Sequence, residues 1–169
     1  VKQLADIRAG NRDNPTMYPF ALDDQIAAAA GYHEGEIKPA QLVADVTAYM
    51  AKLPMNPDNG KGPWNELFPE FEQGKKLYEA NCVECHGENG EGSDEKFYPK
   101  IQGQHYEYML RQFEWIRDGK RRNANPDMVK QIESFSDKDM QMVINWVSWQ
   151  PVPQEDLADS ADWQNPDFK

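Results

Sequence analysis

Both cysteines of this 169-residue chain fall in one short stretch, Cys82-Val83-Glu84-Cys85-His86. That spacing excludes most of what a cysteine pair does. A disulfide across two residues would close almost no loop and restrain little of the unfolded chain. A thioredoxin-type pair belongs in a βαβ context, and no segment here sustains the apolar–polar alternation of a strand. A structural zinc ion takes four ligands. Beyond the motif only His33 and His105 remain, without finger spacing.

What the pattern does fit is covalent haem attachment, for which Cys-x-x-Cys-His is the signature. Two thiols add to the two vinyl groups on one edge of the macrocycle, and two intervening residues span that edge. His86 then follows under the ring and offers the iron a nitrogen. The sixth ligand must come from further along the chain. Met109, Met140 and Met142 lie on helical segments, where packing or solvent exposure explains them. Met128 lies in the polar stretch "RRNANPDMVKQ", where a thioether has little else to do. Methionine–histidine ligation is a known haem pattern and raises the reduction potential. We therefore expect His86 and Met128 as the metal ligands and haem c as the cofactor.

The periodicity is helical throughout. Ala40–Leu53 places Val43, Val46, Met50 and Leu53 on one face between Pro39 and Pro54. Glu70–Asn81 leads into the cysteines. Gln104–Asp118 carries Tyr106, Met109, Leu110 and Phe113, with Gly119 as its C-cap. A helix after Ser136 is opened by Ser136 and Asp139 in a weak capping box, carries Met140, Val143, Ile144 and Val147, and stops at Pro151. The Pro-, Gly- and Asn-rich stretch 55–68 reads as a linker. The acidic residues 154–169 read as a surface tail anchored by Trp163 or Phe168. The expected class is all-α.

The chain repeats itself. "IRAGNRDNPTM" (7–17) resembles "IRDGKRRNANPDM" (116–128), and each copy is followed by a helix ending at proline. Residues 1–54 therefore read as the second half of a module whose whole form spans 69–153. Met17 takes the place of Met128, which makes it a candidate ligand for a second haem, yet no Cys-x-x-Cys-His precedes it. Three explanations stay open: a trimmed two-haem protein, a natural haem-less remnant, or a separate chain that completes the module. The insertion "GYHEGEIKPAQ" holds His33 as a solvated loop residue. With no initiator methionine or signal peptide, the chain reads as a mature or truncated product.

The 29 acids outweigh the 18 bases, a net charge of −11. Such a chain repels nucleic acid and is steered toward partners with basic docking surfaces. No apolar run is long enough to span a membrane.

With these residues in view, the chain resembles the class I c-type cytochromes, and more closely the tandem, two-module cytochromes of bacterial periplasms. The likeness runs through "EQGKKLYEANCVECHG", "YPKIQGQHYEYMLRQFEWIRDGKRRN" and "NPDM" to the last helix. It implies a cytochrome c fold and a periplasmic location after export. It also implies that the Pro99 carbonyl accepts a hydrogen bond from the proximal imidazole. Gly74 and Tyr78 would lie where the first helix crosses the last, with Trp146 as partner. Arg121 and Asn123 would lie near the haem edge and distal loop, with a solvated surface charge as the rival reading for Arg121. His105 would be a surface or propionate-side residue. The function implied is that of an electron carrier, not an enzyme. The alternative is a cytochrome subunit of a larger oxidoreductase complex, accepting electrons from a dehydrogenase or feeding a terminal oxidase or reductase. A catalytic haem protein, such as a peroxidase, would need an open sixth site.

Overall fold

The computed structural model describes residues 2–29, 31–33, 36 and 38–168. Its helices are α1 (Lys2–Arg8), α2 (Tyr18–Ala21), α3 (Asp23–Ala29), α4 (Pro39–Met50), α5 (Pro69–Asn81), α6 (Val83–His86), α7 (Tyr106–Arg117), α8 (Pro126–Ile132) and α9 (Asp137–Ser148). No strand occurs among the described residues. Two isolated bridges, Met55 with Leu157 and Ser93 with Tyr98, are the only sheet-like pairings found there. The long periodic segments fold as expected. The short α1, α2, α3, α6 and α8 escape a periodicity reading, because four to seven residues do not complete two turns of a pattern. No helix among the described residues is long and apolar enough to cross a membrane.

The chain divides into two compact units. One holds residues 1–53 and 118–125, the other 54–117 and 126–169. This division differs from the one suggested by composition in two places. The segment 118–125, which carries Arg121 and Asn123, packs with the N-terminal unit. The stretches 55–68 and 154–169 belong to the C-terminal unit.

In the C-terminal unit α5 crosses α9 at Gly74. A Cβ there would lie 2.0 Å from the Met142 carbonyl oxygen, so only glycine lets the two backbones approach this closely. One turn on, the Tyr78 and Trp146 rings stack with centroids 4.6 Å apart. The core gathers Tyr78, Tyr106, Met109, Val143, Ile144, Trp146 and Val147. The start of α9 is held by a full capping box. Ser136 Oγ accepts from the Asp139 amide at 3.1 Å, and the Ser136 amide donates to the Asp139 carboxylate at 3.0 Å.

Along α9 every residue from Met142 to Ser148 is buried, more than an amphipathic stripe predicts. The cause is the stretch read as a linker, which crosses the helix as an ordered strap. Asn145 clamps Trp64 at both backbone atoms, accepting from its amide at 2.9 Å and donating to its carbonyl at 2.7 Å. Ser148 Oγ accepts from the Gly62 amide at 2.9 Å. The Asn59 amide group donates to Gly103 and Ser148 carbonyls at 2.7 and 3.0 Å. The tail is stapled to the same strap. Met55 donates to the Asp156 carbonyl at 2.7 Å, and Ala158 donates to that of Met55 at 2.8 Å. Trp163 is half-buried, while the side chain of Phe168 lies outside those described. Asn145→Ala would leave a buried amide and carbonyl unpaired and should cost about 2–3 kcal/mol, read as a lower urea midpoint.

In the N-terminal unit α1 ends at Arg8 and is followed by Gly10 at φ +69°, just as α7 ends at Arg117 before Gly119 at φ +70°. The repeat is thus one of conformation as well as of letters. Leu42 and Val43 of α4 are buried, but Val46 and Met50, expected on the buried face, are 44% and 62% exposed. No described residue of this unit covers them. The insertion around His33 is described only in part: Glu34, Gly35 and Ile37 lie outside the described residues.

Candidate functional site

Helix α5 delivers the cysteine motif and then breaks. Cys82, at φ −121° and ψ −29°, ends α5 and opens the single turn α6. The Cys85 and His86 amides donate to the Cys82 carbonyl at 3.2 and 2.9 Å. Both thiols are free. Cys82 is half-buried and Cys85 exposed. Burial, aided by the neighbouring Cys85, pushes the Cys82 thiol up to about 12.

The chain then folds back on itself. Gly92 donates to the His86 carbonyl at 2.8 Å. A Cβ on Gly92 would meet the backbone of Tyr98, Pro99 and Lys100 within 2.7 Å, so glycine is what lets the returning strand close in. The Glu91 carboxylate lies beneath Gly87 and accepts from the Asn89 amide at 2.8 Å. Backbone donors in this loop hold its carboxyl below the ordinary range. The fold-back places the Pro99 carbonyl 3.0 Å from His86 Nδ1. A carbonyl can only accept, so Nδ1 carries the hydrogen, and burial favours the neutral ring in which Nε2 keeps its lone pair. Burial lowers the His86 pKa, with Pro99 pulling the other way. The neutral ring with its hydrogen on Nδ1 is the form that ligates a metal.

Tyr78 ties this turn to the core. Its hydroxyl donates to the Gly87 carbonyl at 2.6 Å. Burial first, then Cys82 and Glu91, drives its pKa upward. Tyr98 lies against Cys85, whose charge and hydrogen bond raise the phenol pKa, with smaller contributions from Asp127 and Glu84.

Met128 sits half-buried on α8. One turn along, the Gln131 amide donates to Asn81 Oδ1 at 2.9 Å, tying α8 to the residue that precedes Cys82. The influence of Asp127 on Tyr98 points the same way. Met109, Met140 and Met142 are instead 6%, 0% and 8% exposed, all in the core. The Asn81–Gln131 tie escaped sequence reasoning, because two amides fifty positions apart carry no spacing signal.

The remaining expected residues are more scattered. Asn123 donates to Asp6 Oδ1 at 2.7 Å, and Asp6, 4% exposed, also pairs with Arg12 at 3.1 Å. Arg121 is half-buried in the same N-terminal unit. Asn123→Ala should therefore destabilise that unit by about 1–3 kcal/mol in urea titrations. A change confined to the haem spectrum would place Asn123 at the cofactor instead. Met17 immediately precedes α2 and is 37% exposed. His105 is exposed beside Gly60, and exposed His33 donates its amide to Glu36.

Two thiols on one helical turn, a neutral imidazole with its outer nitrogen fixed, and a thioether on a helix tied to that turn suit a covalently attached haem. The comparisons agree. Residues 71–151 match the family described as cytochrome c. The chain is 26% identical over 151 residues to cytochrome c4 of Azotobacter vinelandii, covering 87% of this chain and 70% of the relative. It is 30% identical over 156 residues to the thiosulfate dehydrogenase electron acceptor of Stutzerimonas stutzeri (strain A1501), covering 86% of this chain and 63% of that protein. Its fold matches reduced recombinant cytochrome c4 from Pseudomonas stutzeri with a TM-score of 0.65 at 24% identity, over 89% of this chain and 78% of the other.

Proposed function

Because residues 71–151 match the cytochrome c family, we propose that this protein carries single electrons in the periplasm through one haem c, bound by Cys82 and Cys85 and ligated by His86 and Met128. When bound, the haem supplies one-electron chemistry between ferrous and ferric iron. The residues of the chain do the rest. Cys82 and Cys85 hold the group by covalent bonds, so that it stays bound in a small unit. The Pro99 carbonyl fixes the tautomer and orientation of His86 and raises its basicity as a ligand. Tyr78 anchors the turn through Gly87. Arg121 and Asn123, expected near the haem edge, lie in the N-terminal unit, where Asn123 donates to Asp6. The observation that carries the reading is the pairing of the fixed His86 ring with the Gln131–Asn81 tie, which brings α8 to the motif. With His86 and Met128 both holding the iron, no position would be left for peroxide or oxygen, which disfavours the catalytic alternative.

Net charge favours a partner with a basic docking surface, in encounters weakened by salt. Likeness to a thiosulfate dehydrogenase electron acceptor supports a second reading, a cytochrome subunit that drains an oxidoreductase. The exposed Val46 and Met50 and the position of Met17 also suit a separate partner chain that completes the N-terminal unit. There Met17 would serve as a second distal ligand.

Intact mass with a haem assay tests the main reading. One covalent haem per chain is expected. A chain with the full motif but no covalent haem after expression with the attachment machinery would overturn it. A second haem held without cysteines would implicate Met17.

A further inference from the structure

Beyond the ligating turn the chain makes a tight hairpin in which Ser93 and Tyr98 exchange backbone hydrogen bonds, each 2.9 Å. Its turn reads Asp94-Glu95-Lys96-Phe97. Phe97 lies at φ +58°, the one non-glycine residue at positive φ among those described. That region crowds a residue with a Cβ, and asparagine or glycine is the usual occupant. The Phe97 ring is also 92% exposed. Backbone strain and an apolar ring in water thus coincide at one residue, and neither is offset by packing within the protein. A residue that meets the backbone requirement more easily would serve the hairpin better. Nothing within the described chain accounts for a phenyl ring at this place.

The location says what kind of contact. Tyr98, the next residue, lies against the exposed Cys85, and Pro99, the one after, holds His86. A partner seated on Phe97 stands beside the attachment turn. The surroundings are acidic. Asp94 and Glu95 are exposed in the turn itself, and the Glu84 and Asp127 carboxylates are close enough to act on Tyr98. Lys100 is paired with Asp156 at 3.0 Å, and Lys96 shares the turn with both Asp94 and Glu95. An acidic rim around an exposed ring complements an apolar depression rimmed by lysine or arginine. It disfavours both a second copy of this chain and an anionic membrane.

We propose that Phe97 is the anchor by which a basic redox protein docks on the Cys85 side of the haem site, with Asp94, Glu95, Glu84 and Asp127 steering the approach. The proposal rests on the electron-transfer reading above and adds the surface through which it operates.

The test uses the haem-loaded protein in stopped-flow exchange at low salt. One reagent is a lysine-rich class I cytochrome c. The other, a small-molecule control, is hexaammineruthenium. Phe97→Asn suits the left-handed backbone and should melt no lower than the parent. It should slow exchange with the basic cytochrome about tenfold while leaving hexaammineruthenium within about twofold of its parental rate. Phe97→Tyr keeps the ring and should keep the rate. Converting Asp94 and Glu95 to lysine should slow the cytochrome reaction and flatten its dependence on salt. Parental exchange by Phe97→Asn would overturn the proposal, as would equal slowing with both reagents or a Phe97-dependent dimer in sedimentation. A parent protein that exchanges with neither reagent would instead sink the electron-transfer reading itself.

Discussion

Met128→Ala should leave the haem covalently attached and change what the iron can do. The ferric absorption band in the near red that marks sulfur ligation should vanish. The reduction potential should fall on the order of 0.1 V or more, within the ~0.8 V span that axial ligands command. With the proposed Met128 ligand removed, cyanide should bind at once. Spectroelectrochemistry of the purified variant reads all of this against the parent. Met109→Ala is the informative contrast. Met109 is 6% exposed within the core cluster, so its loss opens a cavity and should cost about 2–5 kcal/mol with the band intact. If the two variants exchanged phenotypes, the assignment of Met128 would be wrong.

The second large effect is expected at Gly74. In an exposed helix interior, Gly→Ala is stabilising by about 1 kcal/mol, because alanine loses less backbone freedom on folding. Here the added Cβ would stand 2.0 Å from the Met142 carbonyl oxygen and 2.7 Å from its carbon. Backbone cannot swing aside as a side chain can, so α5 and α9 must separate. Overpacking of a rigid contact typically costs about 1–3 kcal/mol and occasionally more. We expect the upper end, a net loss of about 2–3 kcal/mol after the propensity gain. The effect should also reach the site. Tyr78, one turn along, stacks on Trp146 and holds Gly87 by its hydroxyl, so a parted crossing loosens the turn that bears His86. Thermal melts of the haem-loaded variant, followed at both the haem and far-ultraviolet bands, check this. A melt at or above the parental temperature would show that the crossing relaxes at no cost.

The attachment turn was legible because its chemistry is local. Cysteine thiols that join one edge of a macrocycle, and a histidine that follows under it, need a fixed short spacing, and Cys82, Cys85 and His86 have it. The amphipathic helices were legible for a similar reason, since a stripe at i, i+3, i+4 and i+7 is a property of a segment alone. Ser136 and Asp139 make a weak capping box by letter, and the structure forms both of its bonds.

What escaped was set by partners far away in sequence. The stretch 55–68 has a linker's composition, but its backbone amides and carbonyls must be satisfied somewhere, and Asn145 and Ser148 on α9 satisfy them. The buried polar residues on that helix are explained by the strap, not by its own periodicity. Asn123 and Arg122 pack with the N-terminal unit because Asp6 and Asp13 are there to receive them. Val46 and Met50 fit a buried stripe by spacing, but no described residue of their unit covers them.

The sequence by itself determined the helical class and the covalent cofactor, since each rests on covalent spacing or on the period of one segment. Tertiary structure decided the rest: which methionine stands on a helix tied to the motif, how the Gly92 fold-back locks the His86 tautomer through Pro99, and where Phe97 is left in water. Those outcomes depend on the meeting of residues tens of positions apart, and only the closed chain brings them together.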